Sequence, residues 1–538
     1  MTSAGSLQDS LDALRYLQIA GPPDGLFLSS KSKLWSPVFP IPPSISLGVD
    51  FNCSSTVEPQ SRPFEIVYES GVSLLGGIIS KDPDFFLRNA LLCVRKWRSN
   101  VELLSQFADP QIQLLLLRAC MGAPKLNYLL RTVAPGLIVP ALAEMKHFLF
   151  LTLRDLCVGI KDGFETFQFD LASLRFKDGG LGILNPLDIS KYAYVASYIA
   201  TRTLQGRILC EIPANRVIIH DMDPVDGDFS QALDDLLDFL GDTGMHRELP
   251  HYTQHHWAAL YFEIKRKQVF SSPYISSQPS SIQRRFLAIL QSLSAKHASA
   301  YLFALPNAGL GQVMTLEEFR ANMGLRLLIP LFSGLKNCSR PKCTHPMDPF
   351  GYHAINCCTT ERFKRHEEVA NQLCFLAHDA GLQPVRNASV HCLGPSWRPN
   401  RSKLKGFTDF RPADLLINGV NGGRSCVDCT IVSPIRSSIT PPLHFVPGLA
   451  ALNAQEDKYD KHLIATNAAH LGFHAFASDC FGVLAPHSSS LLRRIALCLV
   501  CTKGYPAYLA KQLVFRKISF AIHLGVARQL VARKEFDF

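Results

Sequence analysis

The sequence lacks a long uninterrupted apolar run, a polymerase-type carboxylate pair, internal repeats and low-complexity tracts. A bilayer-spanning helix needs about 20 mostly apolar residues. The most apolar stretch, Gly136–Leu153, is interrupted by Glu144, Lys146 and His147, so it reads as a buried helix and no membrane partner is expected. Met1–Ser10 is polar and has no apolar core of a secretory signal. No Tyr/Phe-x-Asp-Asp sequence occurs, which removes the carboxylates a polymerase uses to hold its two metal ions. Sixteen cysteines without a secretory signal point to reduced thiols in an intracellular setting, nucleus or cytoplasm. Most of them are expected to be inert core residues.

At 538 residues the chain has room for three or four domains, and its 47% hydrophobic and 19% charged residues describe a globular protein with ample core. The formal charge of +10 fits a nucleic-acid partner without requiring one. Residues 1–85 read as α+β, with a helix-like start at Leu7–Ile19 and strand-like pieces at Leu26–Leu28, Phe64–Tyr68 and Leu74–Ile79. Residues 86–335 are mostly helical by apolar period, with a Ser/Pro linker expected at Ser271–Ser281. After a short Cys/His segment at 336–360 the pattern becomes α/β. Helices are expected at Glu361–Ala380, Leu449–Leu471 and Ser488–Cys501, and strands at Leu382–Val390, Asp414–Ile417, Cys426–Val432 and Phe473–Ser478. The tail Lys511–Arg533 reads as a basic helix, and the whole chain as a multidomain α+β protein.

Cys338, Cys343, His353 and Cys357 follow a C-x4-C-x9-H-x3-C spacing. Three thiolates and one imidazole form a closed tetrahedral set suited to structural Zn²⁺. Gly351 permits the sharp turn that returns His353 to the metal, and Cys358 competes with Cys357 for the fourth position.

Two acids stand out farther on. Arg411-Pro412-Ala413-Asp414 opens one short apolar strand, and Val427-Asp428-Cys429-Thr430 lies in the next, with Asn421-Gly422-Gly423 as the turn between. Adjacent strand ends can bring two carboxylates to one hard cation, and Mg²⁺ typically uses one or two carboxylates plus substrate phosphate. An unpaired carboxylate inside an apolar run such as the one around Asp428 is costly, which favours a working role. Thr430 stands where a D-x-K motif would have its lysine, so the cation would come from Lys458 or Lys461 on the following helix. The earlier run Lys364-Arg365-His366-Glu367-Glu368 offers a third acid, Glu367 or Glu368, and phosphate contacts from Arg365 and His366; it serves equally well as plain surface charge.

Taken in order, the Cys/His knuckle with its Asp348-Pro349-Phe350-Gly351 core, Arg365-His366, the Arg411–Asp414 segment, the Val427–Pro434 segment and Lys458-x-x-Lys461-His462 resemble the C-terminal half of non-LTR retrotransposon polyproteins bearing a restriction-like endonuclease. The resemblance implies a PD-(D/E)XK-type nuclease with an αβββαβ core, and a site made of Asp414, Asp428 and Lys458 or Lys461. It differs from the family where Glu367 follows the Arg-His pair in place of a frequent Asn, and where Cys358-Thr359-Thr360 replaces a Gly-rich stretch. Gly25-Leu26, Lys31–Trp35 and Leu74-Leu75-Gly76 are similar to the end of a reverse-transcriptase palm, Gly122–Thr132 to its thumb, and Gly179–Ile183 to the turn after the thumb.

The implied organisation is a palm remnant at 1–85, a thumb-like helical domain at 86–200, a helical linker region at 201–335, a CCHC zinc knuckle at 336–360, a restriction-like endonuclease at 361–505 and a basic C-terminal helix at 506–538. The chain is then expected to be the downstream piece of an element. The implied activity is Mg²⁺-dependent nicking of a DNA target, with element RNA and a reverse-transcriptase subunit in trans as further partners. Arg365, His366, Arg411, Arg118, Lys125 and Arg131 would contact backbone phosphate. The alternatives are a non-catalytic nucleic-acid binder and an inactive relic of such an element.

Overall fold

The computed structural model describes residues 76–159, 162–211, 227–241, 253–333, 337–340, 343–357, 359–388, 413–419, 422–436, 440–468 and 470–533, with scattered positions between 9 and 74. The protein is mixed α+β, predominantly helical with small sheets. It divides into two compact units, one of residues 1–97, 126–145 and 186–257 and the other of residues 98–125, 146–185 and 258–538.

In the first unit the strand expected at Leu74–Ile79 is a hairpin, Gly71–Leu74 against Gly77–Ser80, because Gly76 turns the chain at φ +86°. The helix Pro186–Glu211 packs on Gly227–Leu240, where Tyr198 and Phe229 stack at 4.0 Å. The expected pieces at Leu7–Ile19 and Leu26–Leu28 lie wholly or largely outside the described residues.

The apolar stretch near residue 140 forms the helix Pro135–Val158, which by length and composition alone suffices to span a bilayer. Its buried residues Ile138, Ala141, Leu142, Met145, Leu149 and Leu153 recur every three to four positions, the stripe of a helix laid against a core. The Ser271–Ser281 segment is no linker: it holds the short helix Pro273–Ser276 and the start of Ser280–Leu293. Its prolines stand at a first helical position and at a cap, where a missing N–H costs nothing.

The second unit contains the α/β part. Here α1 is Tyr352–Cys357, α2 Thr359–Asp379, α3 Leu449–Ala468, α4 Pro486–Lys503 and α5 Ala507–Val531. The strands are β1 Val385–Arg386, β2 Leu415–Asn418, β3 Arg424–Val432 and β4 Gly472–Asp479, in sheet order β1-β2-β3-β4. The first three are antiparallel, while β3 and β4 run parallel and are joined through α3 as a crossover. Of the β1 expectation only two residues are strand, and residues 389 and 390 lie outside the described part.

Alternation decides which face each side chain takes. Leu415, Ile417, Val427, Cys429 and Ile431 point to the face covered by α2, α4 and α5, packed on Val369, Leu373, Leu492, Ile495, Val514 and Ile518. Leu416, Cys426, Phe473 and Ala475 point to the other face, which Tyr459 of α3 covers. Because both faces are covered, β3 is buried along most of its length, Ser425 and Asp428 included. The tail expected as a basic helix is the helix α5. α5 is buried along most of its length and even Lys517 is enclosed, its ammonium 3.9 Å from the Phe375 ring centroid.

Candidate functional site

The pairing of β2 with β3 brings the segments of the two acids together. Leu415 pairs with Val427 and Leu416 with Cys426. Asp414 directly precedes β2 and Asp428 directly follows Val427, and the Cys429 N–H that Asp414 accepts ties the two segments together. Asp428 faces α3 from within β3, while Asp414 precedes the start of β2, where α2 reaches it.

Each carboxylate is held by groups from two other elements. Asp414 Oδ2 accepts the Cys429 backbone N–H at 2.7 Å, and Oδ1 lies 3.0 Å from His366 Nε2 on α2. Asp428 Oδ2 lies 2.8 Å from Lys458 Nζ and 3.3 Å from His462 Nε2, both on α3. Positions four apart on a helix share a face, which is why Lys458 and His462 arrive together. Burial pushes the Asp428 carboxyl up, but the His462 hydrogen bond and the Lys458 ammonium outweigh it and hold it below the ordinary range. It is ionised at neutral pH. The Asp428 and Asp414 side chains keep 10% and 17% exposure, and Lys458 and His366 keep 25% and 24%. The acids are thus largely covered, with the Lys458 ammonium and the His366 imidazole beside them.

The other expected residues are distributed unevenly. Lys461 points to solvent, so of the two lysines it is Lys458 that reaches an acid. Glu367 pairs with Arg386 at 2.7 Å, and Arg386 also donates to the Asp414 main-chain oxygen at 3.2 Å; Glu367 is linked to the site through that arginine. Glu368 pairs with Arg528.

Two phosphate contacts need correction. Arg365 is 2% exposed, donates to the Ile431 carbonyl and lies against Gly525 of α5, so it faces the core. Arg118 donates to the Leu302 carbonyl with its guanidinium over the Phe176 and Phe303 rings, and burial lowers its pKa to about 10. Lys125 and Arg131 are exposed, and Arg411 lies outside the described residues. Sequence reasoning missed His462 and Arg386 as site residues. The spacing of His462 from Lys458 carried that signal.

The Cys/His segment forms a second centre. The ligand atoms of Cys338, Cys343, His353 and Cys357 all lie within 4.8 Å of one another, the one such group of Cys, His, Asp or Glu among the described residues. The separations are 3.7 Å for Cys338–Cys357, 3.4 Å for Cys343–Cys357 and 3.4 Å for Cys343 Sγ to His353 Nε2. With Zn–S bonds of about 2.3 Å a tetrahedron has edges of about 3.8 Å. The four residues therefore fit a metal such as zinc with little contraction or expansion. Burial keeps His353 neutral, the form a ligand needs. Cys358, the competing ligand, lies outside the described residues.

Asp348 orders this loop by accepting the N–H groups of Phe350, Tyr352 and His353 at the start of α1. Gly351 takes φ +77°, and a Cβ there would come 2.7 Å from Leu530, so the turn needs glycine twice over. No protein-family model and no curated protein matches the chain.

Proposed function

We propose that the chain is a metal-dependent DNA endonuclease of the restriction-like type, the downstream part of a non-LTR retrotransposon polyprotein. The observation that carries this is that Asp414 bonds the main chain next to Asp428, its Oδ2 accepting the Cys429 N–H at 2.7 Å, while Lys458 comes to 2.8 Å of Asp428 from a separate helix. The motif order from knuckle to α3 supports it, as does the sheet order with one parallel crossover.

Asp414 and Asp428 would hold a Mg²⁺ ion, which when bound lowers the pKa of a water and polarises the scissile phosphate. His366 orients Asp414, and His462 orients Asp428. Lys458, which pairs with Asp428 at 2.8 Å, would offer its ammonium to the charge developing on the phosphate. The DNA target would be nicked to prime reverse transcription, with element RNA as template and a reverse-transcriptase subunit in trans. The Cys3His set would hold structural zinc.

The test is relaxation of supercoiled plasmid by purified protein in Mg²⁺. Asp414→Asn and Lys458→Ala are expected to lower the nicking rate by about 100-fold or more, and Lys461→Ala by less than about threefold. Equal rates for Asp414→Asn and the unsubstituted protein would end the assignment. One observation favours the rival non-catalytic scaffold: the Asp428 charge is already met by Lys458 and His462. In that case no metal-dependent product forms, and Asp428→Asn changes only stability.

A further inference from the structure

The phosphate contacts expected from Arg118 and Arg365 are spent inside the protein, while Lys125 and Arg131 stay exposed, and a further basic face is present. It lies on the second unit, where three elements converge on His297. Lys296 precedes it in the loop after the helix Ser280–Leu293, Arg493 projects from α4, and Lys511 from the first turns of α5. All three are exposed, and all three act electrostatically on the His297 ring. That ring stacks on Phe515 at 3.9 Å, and Phe515 lies four residues after Lys511 on the same helix face. Arg516, next along α5, sits over Phe303 at 5.6 Å, beside the inward-turned Arg118.

Among the described residues none of Lys296, Arg493, Lys511 and Arg516 makes an ion pair with an acid. This contrasts with Lys267, Lys503, Arg386 and Arg528, each of which has a carboxylate within 4 Å. The arrangement leaves uncompensated positive charge from three separate elements on one surface. His297 itself sits at φ +69°, a conformation uncommon outside glycine, with Nε2 buried and without a hydrogen-bond partner.

We propose that Lys296, Arg493 and Lys511, extended by Arg516, form a docking face for the phosphate backbone of nucleic acid. The ligand chemistry is a run of phosphodiesters bound without reading sequence. Opposing carboxylates are absent because the phosphates take their place. Burial, reinforced by the neighbouring cations, lowers the pKa of His297 to about 4, so the imidazole is neutral at pH 7 and adds packing but no charge. The choice of nucleic acid as the anion rests on the endonuclease reading. The binding test contains no divalent cation, so its outcome is separate from that of cleavage.

The experiment is fluorescence anisotropy of a labelled 20-base-pair duplex with the full chain over 50–300 mM KCl. Each cation–phosphate pairing that is removed lowers the slope of log K against log salt by about 0.9. The combined substitution Lys296→Ala, Arg493→Ala and Lys511→Ala is expected to lower it by about 2.7, with an unchanged thermal melt because the residues are exposed. Replacing the same two lysines by arginine keeps the slope. A slope unchanged to within about 0.5 in the triple variant overturns the inference. So does a fall of about 0.9 on Lys267→Ala, which removes one exposed cation elsewhere.

Discussion

At the scale of the residue, the site turns on which side chain each helical position presents. Lys458 and Lys461 are three apart, close enough in angle that the sequence left both open. The structure separates them because His462, four from Lys458, shares its line to Asp428 while Lys461 falls beyond the edge of that face. Arg365 shows the opposite limit. It sits in a charged run that reads as surface, and only α5, far later in the chain, encloses it. Asp479 gives a test of burial alone. It is fully enclosed at the end of β4, with Oδ1 accepting the Phe481 and Val483 N–H groups and Oδ2 without a hydrogen-bond partner. Burial, only partly offset by those N–H groups, pushes its carboxyl up to about 7. The unfolded chain releases this proton near pH 3.9, so between about 4 and 7 the folded state binds more protons and loses stability as pH rises. Asp479→Asn has no such titration. Its stability relative to the unsubstituted protein is expected to rise by about 2 kcal/mol from about pH 5 to about pH 7, measured by urea unfolding. An equal difference at both pH values would contradict this.

At the scale of the element, the knuckle was legible and its anchoring was not. Cysteine and histidine spacing declares a tetrahedral set within one short segment, because all four ligands are local. The partners that fix the segment are distant. Gln529 of α5 donates to the Ala354 and Ile355 carbonyls, and Asn356 of α1 donates to the Ile435 carbonyl just beyond β3. The metal set is therefore tied to the strand that carries Asp428 as well as to the central helix. Zinc content is expected to be one ion per chain by atomic emission, and Cys357→Ser should lose it. Removal of the metal should also raise hydrogen exchange along Ile431–Ile435, beyond the knuckle itself. Exchange confined to 337–357 would show the knuckle to be independent. The strands β2, β3 and β4 were readable as short apolar and β-branched runs within a residue or two, since each lies between turn signals. α5 was legible as a basic helix, but its burial was not, since the helices that cover it lie elsewhere in the chain. The helix packs on α2 and α4, and the Lys517 side chain runs along apolar surface to the Phe375 ring.

At the scale of the whole molecule, a mixed α+β chain with two compact units presents two charged centres in the second of them: two largely covered acids beside Lys458 and His366, and a face of unpaired cations around His297. Composition showed only a modest positive excess. It could not show that some arginines are consumed by carbonyls and rings in the core while others stand without acids. The central claim is that Asp414 and Asp428 share one cation. The most direct test is the anomalous signal of Mn²⁺ in crystals of the protein with an uncleavable phosphorothioate duplex. The account predicts a peak with an oxygen of each of the two acids at about 2.0–2.3 Å and the Lys458 ammonium facing the phosphate. A map with no density between the two carboxylates with DNA bound would contradict it.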